Sequence, residues 1–132
     1  MVRIYRGRRT DSGATVVTVD GTRVLLPDAG ALAVRFDWGQ ASAGSTALAR
    51  ALLLDHLDAL PARSVLHRFA FTTVQTWTED RWTCTMFELD AALRHVQQQL
   101  RLTCPLCADT GRREVTARLW RACACRPLQP EA

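Results

Sequence analysis

The chain has 132 residues, an apolar content of 48% and a net charge of +4 at neutral pH. This length suits one domain with a small appendage, and the apolar content argues against a disordered chain. No apolar run approaches the ~18–20 residues that span a bilayer, and no secretory signal is apparent, so we expect a cytoplasmic protein without membrane contact. All 17 basic residues are arginine. A GC-rich coding background produces that bias, so the net charge by itself is weak support for a polyanionic partner.

The first third of the chain predicts a small antiparallel sheet. Residues 2–9 begin with the alternation of a strand. Residues 16–19 and 22–26 flank Asp20-Gly21, a pair that favours a tight hairpin because a type I′ turn needs positive φ at both positions. A third strand is predicted over residues 32–38, after a turn.

Two helices are predicted after the sheet. The first covers roughly residues 46–60, with Asp55 and Asp58 facing outward and the helix ending at Pro61. Pro61 also suits the first turn of a second helix, which runs through Phe71.

A third helix is predicted to begin after Thr85, because Thr85 and Glu88 have the spacing of a capping box. Its apolar residues recur at alternating intervals of three and four, which predicts a stripe that packs on the sheet. A short dimer seam is the alternative, so both monomer and dimer stay open. The sequence therefore predicts an α+β body over residues 1–101, with a small antiparallel sheet and about three helices.

A set of short motifs is spread over roughly residues 3–94 of this body. The motifs are Tyr5-Arg6-Gly7-Arg8-Arg9, Val19-Asp20-Gly21, Phe36-Asp37-Trp38-Gly39, Gly44-Ser45 leading into Ala47-Leu48-Ala49, Arg68-Phe69, and Trp82 ahead of Glu88. They resemble those of a family of small uncharacterised bacterial proteins that also occurs in phages and plasmids. The chain departs from that family at Gln40, where an aromatic is usual, and near Thr46, where a proline is usual. The resemblance implies a compact α+β body and a mobile-element origin, and it implies no chemistry.

Four of the five cysteines form two pairs near the C-terminus: Cys104, Cys107, Cys123 and Cys125. Asp109-Thr110-Gly111 predicts a turn, and residues 114–121 supply strand residues for a hairpin that brings the pairs together. Because Zn²⁺ takes four tetrahedral ligands and binds thiolates, the spacing predicts one structural zinc in a ribbon-like tail over residues 102–128. The stretch resembles the zinc ribbons of small phage and bacterial proteins, except that the second pair is CxC.

Alternatives to a structural zinc are redox-active thiols and an iron or iron–sulfur site. Four thiolates leave no open position for a catalytic water, and His95 would have to fold back to replace a cysteine. Bound zinc with four thiolates carries a net −2, which lowers the charge of the chain to about +2.

Other residues that might carry chemistry have simpler structural interpretations. Cys84 is expected to be a buried structural residue. His56 lies between two aspartates, where it suits either a base paired with a carboxylate or the polar face of a helix. The loop from Gly39 to Ser45 resembles an anion-binding loop, but it lacks the lysine of a phosphate-binding loop and is interpreted as a connector, with Ser45 capping the first helix.

Two groups of arginines predict contact surfaces. The first strand and its end carry Arg3, Arg6, Arg8 and Arg9, and the hairpin carries Arg112, Arg113, Arg118 and Arg121 around Trp120. Arginines beside an exposed aromatic suit single-stranded nucleic acid or RNA, and they equally suit a protein interface.

No nucleophile, base and orienting group can be assembled from the sequence, so we expect a binding protein and not an enzyme. The favoured partner is nucleic acid or a nucleoprotein. The alternative is a protein-interaction module that inhibits a host defence complex, such as a CRISPR effector, and an uncharacterised enzyme ranks third.

Overall fold

The computed structural model describes residues 2–27, 34–116 and 119–123. Within them the body consists of a four-stranded antiparallel sheet and three α-helices, which confirms the predicted α+β class. The elements in chain order are β1 (Ile4–Arg9), β2 (Thr15–Val19), β3 (Arg23–Val24), α1 (Ala43–Leu57), α2 (Arg63–Thr72), β4 (Arg81–Thr85), α3 (Met86–Leu100), β5 (Arg112–Thr116) and β6 (Leu119–Ala122). A single 3₁₀ turn at Val74–Thr76 follows α2.

The strands of the body lie in the order β3-β2-β1-β4. The predicted hairpin between β2 and β3 is present, with Asp20 at φ 55° and Gly21 at φ 75°. β4 is an element that the sequence analysis missed, and it pairs with β1 from Ile4 opposite Thr85 to Arg8 opposite Arg81. Its alternation of outward and buried side chains is the signal that could have identified it.

The predicted third strand, residues 32–38, is not formed in its described part. Residues 34–38 form no strand, and residues 28–33 lie outside the described residues. Because β4 occupies the position beside β1, this segment contacts the sheet through side chains instead: Phe36 and Trp38 are buried, and the Thr15 hydroxyl donates to the Phe36 carbonyl at 2.7 Å.

α1 begins three residues earlier than predicted, and its N-cap is Ser42. The Ser42 side chain accepts from the Ser45 backbone N–H at 3.1 Å, while the Ser45 hydroxyl is buried and donates to the Gln40 carbonyl at 2.7 Å. The helix ends at Leu57 because Asp58 adopts a left-handed conformation at φ 54°. The predicted cap is therefore present but is made by Ser42 and not by Ser45.

Asp55 was predicted to face outward, and this prediction was wrong. Its side chain is only 14% exposed and points to the sheet, where it accepts from the Tyr5 hydroxyl at 2.7 Å and from Arg23 at 2.8 Å. Burial raises the pKa of this carboxyl, but the hydrogen bonds from Arg23 and Tyr5 outweigh burial, so the net pKa lies below its ordinary value. Asp58 is exposed, as expected.

The capping box of α3 is confirmed. Thr85 Oγ1 accepts from the Glu88 N–H at 3.2 Å, and Glu88 Oε1 accepts from the Thr85 N–H at 3.3 Å. Leu89, Leu93 and Val96 of the apolar stripe are buried in the core. The stripe therefore packs within this chain, and the dimer seam is not needed to cover it.

Three tryptophans meet at one end of the core. Trp82 on β4 stacks on Trp77 at a centroid distance of 4.3 Å and meets Trp38 edge-on at 5.7 Å. Gly7 on β1 lies directly opposite Trp82, and the absence of a side chain there makes room for the indole. Cys84 is 4% exposed, and burial raises its pKa to about 12, which agrees with a structural role.

Within the described ranges, no helix is both long enough and apolar enough to cross a lipid bilayer.

Candidate metal centre

Three of the four predicted ligands come together in a buried cluster. Cys104, Cys107 and Cys123 place their Sγ atoms within 4.8 Å of one another, and Cys104 Sγ lies 3.7 Å from Cys123 Sγ. A tetrahedral zinc with Zn–S bonds of about 2.3 Å separates its sulfurs by about 3.8 Å, whereas a disulfide bond is about 2.05 Å long. The spacing is therefore that of ligands around a common ion. Cys125, the fourth predicted ligand, lies outside the described residues.

A tight turn built around Asp109 presents the first two sulfurs. The Asp109 carboxylate accepts from the backbone N–H groups of Thr103 at 2.9 Å and Cys104 at 2.8 Å. Ala108 and Asp109 have φ of 50° and 63°, so the chain reverses directly after Cys107. Asp109 was predicted as a turn residue, but the role of its side chain in organising the cysteine turn was not predicted.

The hairpin of β5 and β6 returns the third sulfur to this turn. β5 and β6 pair antiparallel, and the Cys123 N–H donates to the Gly111 carbonyl at 2.8 Å. The predicted strand segment 114–121 is divided between the two strands, with residues 117–118 outside the described residues. The predicted turn at residues 109–111 closes the cysteine loop and is not the tip of the hairpin.

The donor set suits a soft or borderline metal ion. Within the described residues the cluster contains only cysteines, and all three are at most 6% exposed. Thiolates of this kind hold Zn²⁺ or iron, and Leu106 packs against the cysteine cluster. His95, considered as a substitute ligand, is exposed on α3 and is absent from this cluster.

The β5–β6 hairpin and the cysteine turn contact the body at the start of α2. The Ala62 N–H donates to the Pro105 carbonyl at 2.9 Å, and Arg63 pairs with the buried carboxylate of Glu114 at 3.3 Å. Beside these contacts lies a cavity of about 260 Å³ whose lining includes Leu106 and Trp120. A metal that fixes the hairpin therefore also fixes this junction.

Strand β6 is open to solvent. Every residue of β6 is exposed; Trp120, which is 53% exposed, shares a face with Glu114 and borders the cavity, whereas Arg121 points from the other face. Arg112 is exposed on β5. Arg113 lies opposite Arg121 in the β5–β6 register, and Arg118 lies outside the described residues.

The four arginines predicted on the first strand separate into two pairs. Arg3 donates to the Asp55 carbonyl at 2.9 Å, and Arg9 pairs with Asp37 at 2.7 Å while lying 4.5 Å from the centroid of a tryptophan ring. Arg6 and Arg8 are exposed on the other face of β1. Alternation along the strand therefore commits Arg3 and Arg9 to internal contacts and leaves Arg6 and Arg8 toward solvent.

His56 pairs with a carboxylate between helices. Its Nε2 atom lies 2.6 Å from Asp90 Oδ1 on α3, and the His56 side chain is only 8% exposed. Of the two interpretations made from the sequence, pairing with a carboxylate is the one the geometry shows. The contact joins α1 to α3, so the packing of these two helices accounts for it.

Comparison with known proteins adds a family but no activity. Residues 5–95 match a protein family described as a family of unknown function (DUF6166). No curated protein and no solved structure matches the chain. The match covers the α+β body and ends before the cysteine cluster.

Proposed function

We propose that this chain, which belongs to the DUF6166 family of unknown function, is a zinc-stabilised binding protein of mobile-element type that contacts nucleic acid and catalyses no reaction. The observation that carries the proposal is a hairpin with two different sides. The cysteines lie buried at metal-ligand spacing, and every residue of β6 is exposed, with Trp120 on one face of the hairpin and Arg121 on the other.

The metal has a structural role in this proposal. Zn²⁺ supplies tetrahedral cross-linking to a tail that is too small to bury a core of its own. Cys104, Cys107 and Cys123 would hold it together with Cys125. Without the ion the cysteines would be protonated thiols that no longer cross-link the chain, so the hairpin and its junction with α2 depend on the metal.

Metal analysis by mass spectrometry tests this step. We expect about one zinc per chain after purification without affinity metals, and Cys104→Ser is expected to lose it. Cys84→Ala is the matched control, because Cys84 is buried in the body and belongs to a different cluster. Stoichiometric iron, an apo protein under reducing conditions, or equal metal loss in the control would contradict the assignment.

The exposed side of the hairpin suits unpaired bases. Bases stack on aromatic side chains, and guanidinium groups contact the adjacent phosphates. Trp120 provides the aromatic surface and Arg112 provides charge on the same face of the hairpin, while Arg121 adds charge from the other face. Truncation of a stacking aromatic typically costs about 1–3 kcal/mol of binding free energy. Trp120→Ala is therefore expected to weaken binding to a single-stranded oligonucleotide by about 5- to 150-fold.

Fluorescence anisotropy with a labelled single-stranded oligonucleotide measures this loss. Phe87→Ala is the matched control, since Phe87 is a similarly exposed aromatic on the body. If Trp120→Ala binds as tightly as wild type, or if wild type shows no salt-dependent binding at all, the nucleic-acid proposal is refuted.

The absence of catalysis is likewise part of the proposal. Cys84, the thiol outside the cluster, is buried with a pKa raised to about 12, so it carries almost no thiolate at neutral pH. His56 is held against Asp90 at a helix interface. These contacts account for both groups by packing.

A protein partner is the second candidate. Leu119 and Trp120 are both exposed large apolar residues, 42% and 53% respectively, and Trp120 lines the cavity beside α2. Such a patch suits an interface hot spot, as an inhibitor of a host defence complex would need. Affinity that withstands high salt and is lost in Leu119→Ala would favour a protein partner over nucleic acid.

A further inference from the structure

The outer face of the body's sheet is basic and uncovered. Side chains of β1, β2 and β4 alternate between the helix-covered face and the outer face. The outer residues form two rows across the sheet: Thr18, Arg6 and Thr83 in one row, and Val16, Arg8 and Arg81 in the next. They line an open trough of about 470 Å³.

The positive charges on this face lie close enough together to destabilise the sheet. Arg8 and Arg81 are directly opposite in the register of β1 and β4, so their Cβ atoms are about 5 Å apart, and like charges in that position destabilise a sheet. Arg6 lies two residues along β1, about 7 Å away. No outward residue of these three strands is acidic.

Two acids that flank these strands in the sequence make contacts with other residues. Asp20 accepts from the Ile4 backbone N–H at 2.9 Å, and Asp80 pairs with Arg9 at 3.4 Å. In the part of the chain that the structure describes, no ion pair involves Arg6, Arg8 or Arg81. The three guanidinium groups therefore form a positive surface without internal compensation.

We infer that this sheet face binds the sugar–phosphate backbone of a nucleic-acid duplex, independently of base sequence. Guanidinium and hydroxyl groups are the side-chain donors that contact phosphate oxygens, and Thr18 and Thr83 flank Arg6 with hydroxyls. Trp82 also borders the trough, but it is only 8% exposed and is stacked on Trp77, so it offers little surface on which an unpaired base could stack. Paired bases need no such surface, which favours a duplex over a single strand.

This inference shares the class of partner with the proposed function, but it concerns a separate surface. The hairpin would stack unpaired bases on Trp120, whereas the sheet face would hold the backbone of an adjoining duplex. Of the arginines on the first strand, Arg6 and Arg8 belong to this face, and Arg81 joins them from a strand that the sequence analysis did not identify.

The test compares two triple variants in binding to duplexes of unrelated sequence. One variant carries Arg6→Gln, Arg8→Gln and Arg81→Gln. The control carries Arg68→Gln, Arg94→Gln and Arg101→Gln, which removes the same charge from exposed positions outside the sheet. Thermal melts and zinc content check that both variants are folded.

Salt dependence is the decisive measurement. Each phosphate contact contributes about 0.9 to the slope of log K against log[salt], so the face variant should lose about 2.7 of slope. Between 50 and 200 mM salt, wild-type affinity should then fall about 40-fold more than that of the face variant. The control variant should retain most of the wild-type slope.

Three outcomes would overturn the inference: equal slopes in the two triple variants, a strong dependence on base sequence, or binding to single strands alone. The proposed hairpin function fails separately, through unchanged single-strand affinity in Trp120→Ala. Loss in the face variant with normal zinc content therefore identifies the sheet face alone.

Discussion

Replacement of Gly7 by alanine tests the packing of the sheet against the tryptophan cluster. An ideal Cβ at Gly7 would lie 2.2 Å from Trp82 Cε2 and 2.3 Å from Trp82 Nε1, well inside van der Waals contact. The indole cannot move away easily, because it is stacked on Trp77 at 4.3 Å and meets Trp38 edge-on.

Overpacking of this kind typically costs about 1–3 kcal/mol of the free energy of unfolding. Since the indole is held on two sides, we expect a cost of about 2 kcal/mol or more for Gly7→Ala, which for a chain of this size lowers the Tm by about 6–10 °C. Gly7 does not have a positive φ, so the loss would report the steric contact and not backbone strain.

Urea denaturation followed by circular dichroism measures this cost, and an unchanged m-value would show that only stability has changed. Trp82→Phe removes the atoms nearest to the new methyl group and also a buried indole N–H without a described partner. The double variant should therefore be more stable than the sum of the single effects predicts. A cost below about 0.5 kcal/mol for Gly7→Ala, or additive effects in the double variant, would refute this account of the packing.

Two further substitutions test contacts within the body. The pKa of Asp55 lies below its ordinary value of 3.8, so the ionised carboxylate stabilises the fold above that pH. This stabilisation is lost as pH falls through the folded pKa. Asp55→Asn should therefore flatten the acid limb of a curve of unfolding free energy against pH, and an unchanged limb would contradict this. Thr85→Ala removes the hydroxyl of the capping box and should cost about 1 kcal/mol by chemical denaturation. The nearby Thr83→Ala should cost less because Thr83 is exposed on the outer sheet face, and equal losses would argue against the cap.

Local sequence signals determined those elements whose stabilising contacts are close along the chain. The capping box of Thr85 and Glu88 joins residues three apart, and Asp20-Gly21 places its required positive φ at two adjacent positions. The cysteine spacing was similarly informative, because thiolates at this spacing have few other uses in a small chain. In each case the residue types specify the geometry with little help from the remainder of the fold.

Contacts between distant residues decided the rest. The segment at residues 34–38 alternates like a strand, yet β4 and not this segment pairs with β1. A local sequence pattern does not show which of two strand-like segments pairs with the edge of a sheet. Asp55 faces the sheet because Tyr5 and Arg23 supply donors from strands some 30 to 50 residues away.

The arginines show the same division. Their number and their clustering are properties of the sequence, and they predicted two contact surfaces without separating exposed charge from paired charge. Strand alternation and the position of Asp55 and Asp37 commit Arg3 and Arg9 to internal contacts. Only the pairing of β1 with β4 places Arg81 beside Arg8. The sequence thus determined which chemical groups the chain carries, and the tertiary structure decided which of them face solvent together, because burial and pairing depend on neighbours far away along the chain.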